Sequence, residues 1–108
     1  MIEVTIYNKN NEIVGFKSEG HAEYDDVGKD ILCAAVSTLV INTVNSIDQF
    51  TEDDYEVNQD EDNALIEFRL TTDKPSKESL VLLKALLLGL NGVKQGNTEY
   101  LSIISEEV

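Results

Sequence analysis

Asp30-Ile31-Leu32-Cys33-Ala34-Ala35-Val36-Ser37-Thr38-Leu39-Val40-Ile41-Asn42-Thr43-Val44-Asn45-Ser46-Ile47-Asp48-Gln49 is the stretch on which the fold turns. Leu32, Val36, Leu39, Val40, Val44 and Ile47 recur at the three- and four-residue spacings of a helix. Ala34, Ala35 and Ile41 extend the apolar character around much of the circumference. The spacing predicts a helix from Asp30 to about Gln49, largely buried against a sheet or another subunit.

Both flanks of this helix read as hairpins. Upstream, Ile2, Val4 and Ile6 alternate with Glu3, Thr5 and Tyr7, the period of a half-buried strand. Asn8-Lys9-Asn10-Asn11 is a turn signal, and Ile13 to Ser18 is the returning strand. Residues 19–29 carry two glycines and four acids without a period, and read as a loop. Downstream, residues 52–62 hold seven acids in eleven positions. They cover an expected exposed strand around Tyr55 and Val57 and a turn at Asp60-Glu61-Asp62-Asn63. Leu65 to Thr71 pairs with that strand. Ser76 is the expected N-cap of a second apolar helix, from Lys77 to about Leu90, with Asn91-Gly92 as its stop. Tyr100 to Ser105 supplies a last strand. The order ββαββαβ, dominated by hairpins, predicts an α+β fold in one domain over residues 1–108: a mainly antiparallel sheet carrying two helices.

Composition narrows the function. A 108-residue chain with 42% hydrophobic and 27% charged residues is ordinary globular material. One cysteine forms no intramolecular disulfide. Met1 to Val4 reads directly as strand, without a basic segment and apolar run ahead of it, and the apolar stretches fall short of a membrane span. The expectation is a cytoplasmic protein with no membrane partner. Eight basic against twenty-one acidic residues give a net charge of −13. That charge repels nucleic acid and favours a basic partner. Neither a phosphate-cradling glycine motif nor a basic-aromatic surface is present, and no cofactor is expected.

The chemistry-bearing residues lie where the helix begins. Cys33 and His21 are the only cysteine and the only histidine, twelve positions apart. Cys33 falls in the first turn if Asp30 is the N-cap, where free amides and the dipole favour a thiolate. Ser37 at i+4 and Asp30 at i−3 share its face. Gly20 and Gly28 would let the intervening loop bring His21 back over the helix end. A nucleophile beside its base, with a third group orienting the base, is the pattern of covalent catalysis. The same residues also fit an inert cysteine packed as a small hydrophobe, a surface histidine, and a Ser37 hydroxyl bonded back to a helix carbonyl. A metal site would need carboxylates such as Asp25 and Asp26 to complete it, and none is expected.

Gly20-His21-Ala22, followed by Gly28-Lys29-Asp30-Ile31-Leu32-Cys33-Ala34-Ala35-Val36-Ser37, resembles the signature of the bacterial ribosomal-processing cysteine protease family Prp. The similarity extends over the whole chain. The resemblance implies a cytosolic endopeptidase that removes the N-terminal extension of large-subunit ribosomal protein twenty-seven. It implies a homodimer with a flexible loop that orders over the active site when substrate binds. The family's nucleophile corresponds to Cys33 and its histidine to His21; its motif glycine, aspartate and serine correspond to Gly20, Asp30 and Ser37. In these roles Cys33 attacks the scissile carbonyl and His21 moves the proton, while Asp30 either orients His21 or caps the helix. Glu23-Tyr24-Asp25-Asp26-Val27 departs from the family by carrying less glycine. The alternative is a non-catalytic, ribosome-associated module that binds a basic tail. A third reading is a structural dimer whose apolar helices form the interface.

Overall fold

A computed structural model describes residues 1–20 and 29–108, except for the side chains of Lys29 and Asp30. Its elements are β1 (Ile2–Lys9), β2 (Glu12–Glu19), α1 (Lys29–Phe50), β3 (Tyr55–Asp60), β4 (Leu65–Leu70), α2 (Lys77–Lys94) and β5 (Leu101–Glu107). The expected ββαββαβ order is present. The five strands form one sheet in the order β3-β4-β2-β1-β5. Three of the neighbouring pairs are antiparallel, and β1 with β5 is parallel.

Residue chemistry accounts for the elements. Asn10 and Asn11 both take positive φ, 54° and 66°, the requirement of the tight turn whose twist matches a hairpin. Ile2, Val4 and Ile6 of β1 are buried on the helix-facing side with Phe16, Phe68 and Leu101. Phe16 and Phe68 stack with centroids 5.6 Å apart. On the other side of the sheet Tyr7 donates its hydroxyl hydrogen to Glu67, under the Arg69 guanidinium 4.3 Å from the ring centroid. Burial, then this hydrogen bond, raises the Tyr7 phenol pKa.

Strand directions dictate where the helices run. β2 and β3 are both antiparallel to β4, so they point the same way and α1 must return along the sheet between them. Leu32, Val36, Val40, Thr43 and Ile47 form the stripe it buries. Thr43 satisfies its hydroxyl on the Leu39 carbonyl at 2.8 Å. The helix, expected to be largely buried against a sheet or another subunit, gives one stripe to the sheet and one flank to α2 within this chain, and Ile31 and Phe50 are 73% and 72% exposed. The apolar run of α1 is longer than the expectation of stretches short of a membrane span allowed. Ile31–Phe50 is long and apolar enough to cross a membrane by length and composition, although its stripe belongs to the core here.

α2 also outruns its expected stop. It passes through Asn91 and Gly92 to Lys94 and ends at Gln95, followed by Gly96 at φ +80°. Gly92 faces open space, so its cost of about 1 kcal/mol is the only penalty, and the added turn packs Val93 against the core. The expected cap at the other end is present. Ser76 Oγ accepts the Ser79 N–H at 3.2 Å. Asp53, one of the seven acids of the run, sits beneath this cap. Its Oδ2 accepts from the Ser76 N–H (2.9 Å), the Ser76 hydroxyl (2.6 Å) and the fully buried Ser79 hydroxyl (2.5 Å).

Desolvation pushes the Asp53 carboxyl pKa up, but the hydrogen bonds from Ser76 and Ser79 outweigh it and hold the group below its ordinary value. A carboxyl depressed by folding contributes stability above its unfolded pKa and loses it as pH falls through the folded one. Asp53→Asn is expected to cost about 1–2 kcal/mol at neutral pH. Thermal melts of both proteins from about pH 7 down to about pH 2.5 should show the gap closing below about pH 4; a gap independent of pH would contradict this assignment.

Candidate active site

Gly20, the start of α1, the Asp60–Leu65 turn and the start of β5 all fall at one end of the sheet. At that end Gly20 follows β2 with φ +91° and donates its N–H to the Asn63 carbonyl at 3.3 Å. A Cβ built there would lie 2.4 Å from the Met1 carbonyl oxygen. Only glycine fits this backbone without displacement, and it aims the chain into the segment that opens with His21. His21 itself, and the acidic loop with Asp25 and Asp26, lie outside the described residues.

Cys33 is the fifth residue of α1, a half-buried free thiol packed against the core beside Leu32 and Val36. Asp30 is the second residue of that helix, not at the N-cap position expected for it. The first four amides of a helix have no partner within it, and Cα–Cβ bonds tilt toward that end. The thiol of Cys33 therefore leans toward the turn that carries the free amides. Asp30, in the first turn, is at the position where the dipole favours a carboxylate.

Ser37, one turn on from Cys33, is exposed and has no hydrogen-bond partner among the described residues. Its hydroxyl does not bond back to a carbonyl, as Thr43 and Thr51 do at 2.8 Å. Further along the same flank, Asp48 Oδ1 accepts the Tyr55 hydroxyl at 2.8 Å. This hydrogen bond, with burial behind it, raises the Tyr55 phenol pKa. Cys33, Ser37, Val44 and Asp48 therefore mark the side of α1 that looks toward β3, while Leu39 on the opposite flank meets Gly89 of α2. Sequence reasoning placed Cys33, Asp30 and Ser37 on one helix but missed which strand Cys33 and Ser37 look toward. The period of Asp48 with Ser37 was the available signal.

A model of the cysteine protease Prp family matches residues 1–102. The chain belongs to that family. It is a cysteine protease. The ribosomal processing cysteine protease Prp of Staphylococcus aureus is 24% identical to it over 98 residues, covering 91% of each chain. Among solved structures, a Streptococcus mutans protein superposes with a TM-score of 0.89 at 28% identity, over 100% of this chain and 96% of the other. The Staphylococcus aureus Prp protease in complex with a covalently linked product peptide gives 0.86 at 25% identity, over 98% and 100%. The α+β architecture of the Prp family is therefore the one seen here.

The tight fit at Gly20 has a measurable consequence. Gly20→Ala is expected to lose about 1–3 kcal/mol of stability. Gly96→Ala, also at positive φ but with nothing within 4 Å of its Cβ, should lose less. Urea titrations compare the two, and equal losses would show that the Met1 contact is not limiting.

Proposed function

We propose that this protease removes the N-terminal extension of large-subunit ribosomal protein twenty-seven in the cytoplasm, with Cys33 as nucleophile and His21 as its base. One observation carries the assignment: a chain of a cysteine protease family has a single cysteine, and that cysteine sits at the amide-rich end of α1. The name of the Staphylococcus aureus relative, a ribosomal processing protease, supports the substrate class. The net charge of −13 suits a basic ribosomal substrate.

The chemistry follows from the residues. The Cys33 thiolate adds to the scissile carbonyl carbon, and the oxyanion is met by the free amides of the first turn of α1. Collapse breaks the C–N bond as His21, having taken the thiol proton, gives it to the leaving amine. Water then attacks the thioester with His21 again as base, and the acid product leaves Cys33 free. Gly20 positions the strand end that leads into His21, Asp30 orients the imidazole, and Ser37 holds substrate beside the thiol.

Mass spectrometry of the extended ribosomal protein should show a shortened product with wild type. Cys33→Ala and Cys33→Ser should leave the protein uncut, and residual cleavage in either would remove Cys33 as nucleophile.

The homodimer belongs to the same proposal. It is supported by the outer side of the helix pair, where Ile31, Ile41, Val81 and Leu88 are all about half exposed or more. Light scattering should give twice the chain mass for wild type and a single mass for a folded Leu88→Lys variant. A variant that stays dimeric would exclude this face.

A further inference from the structure

The free groups along β3 can be assigned from one hydrogen bond. The Asp54 carbonyl accepts from the Thr71 N–H at 2.9 Å, and these residues continue the β3–β4 register. In an antiparallel ladder bonded and non-bonded positions alternate. Glu56, Asn58 and Asp60 therefore bond to Arg69, Glu67 and Leu65, and the N–H and C=O groups of Tyr55, Val57 and Gln59 point away from the sheet. β3 is the outermost strand on this side. The side chains of these three residues share the helix-facing side with Phe68, so the open edge borders α1.

The edge leads to Cys33. α1 runs opposite to β3, and its Asp48 touches Tyr55 at the strand's beginning. From Asp48 back to Cys33 the helix rises about 22 Å. From Tyr55 to Asp60 the strand covers about 17 Å. Measured along the strand direction, Cys33 thus falls about one or two residues past the end of β3, on the flank of α1 that carries Asp48.

Charge selects what fits. Glu52, Asp54, Glu56, Glu61 and Asp62 line the strand and its two ends, all exposed and without an ion pair among the described residues. No basic residue interrupts positions 52–62. A second copy pairing here edge to edge would set these acids against each other, the arrangement that protects edges from self-association. A basic extended segment gains from both the backbone and the charge.

We propose that the substrate is held as a sixth strand on β3: an extended basic segment pairs with the outward groups of Tyr55, Val57 and Gln59 and delivers the neighbouring peptide bond to Cys33. This rests on the protease reading for its last step, but the pairing is measurable alone. Two probes are used with the full-length Cys33→Ala protein. One is a ten-residue peptide of alternating lysine and threonine, and the other spans the extension of the ribosomal protein.

Amide hydrogen exchange followed by NMR should show Tyr55, Val57 and Gln59 slowed at least about tenfold on binding, while Glu56 and Asn58, already bonded, hardly change. Binding of both probes without slowing at those three positions overturns the proposal. Val57→Pro removes an outward N–H and leaves the ladder intact, a position where an edge strand accepts proline. It should raise KM for the ribosomal peptide about tenfold, and Glu56→Lys should raise it as well; wild-type KM in both variants overturns the edge. Cleavage by wild type with the three amides unprotected removes the edge and keeps the protease reading. Protected amides without cleavage by wild type leave the edge standing and remove the substrate assignment.

Discussion

Burial of one stripe on α1 governs the rest of the molecule. Leu32, Val36, Val40, Thr43 and Ile47 lock the rotation of the helix on the sheet, and each large apolar member contributes about 1.5–3 kcal/mol by leaving water. Cys33 is the next residue after the first member of that stripe. Turning the helix by one residue would carry the thiol into the core and bring Leu32 to the surface, so the hydrophobic effect places the thiol. Because β2 and β3 run the same way, the helix between them has only one direction open to it, which brings its N-terminal end beside Gly20.

Asp53 does comparable work at the opposite end. Its single oxygen ties the connection after α1 to the first turn of α2, 23 residues away in the chain. The two helices and the start of β3 are thereby referenced to one point. The flank of α1 and the edge of β3 keep their spacing because both are anchored near this carboxylate, through Tyr55 on Asp48 and Ser76 on Asp53.

Much of this was legible beforehand. Period-two and period-3.6 patterning located seven elements in the right order, since burial on a sheet and on a helix stripe leaves those periods in the residues. The family blocks around Gly20 and Cys33 pointed to cysteine protease chemistry. Other features were invisible for physical reasons. Gly92 looks like a stop because glycine disfavours helix locally, yet Val93 beyond it finds a tertiary partner. Asp53 is indistinguishable in sequence from the solvated acids beside it, and only the fold brings Ser76 and Ser79 to it. Asp30 has the chemistry of an N-cap but is the second residue of the helix. The outward amides of β3 depend on pairing parity, which residue types do not encode.

The parallel pairing of β1 with β5 bears on how the molecule comes into being. Ile2 lies beside Leu101, 99 positions later, and β1 is the strand between β2 and β5. While the chain is being made, the first hairpin therefore waits with one side of β1 open until residues 101–107 exist. Closing so long a loop is slow compared with forming the hairpins. The end of the sheet that holds Gly20 is finished only when β5 docks beside Ile2, so a partly synthesised chain has its cysteine but not its completed frame.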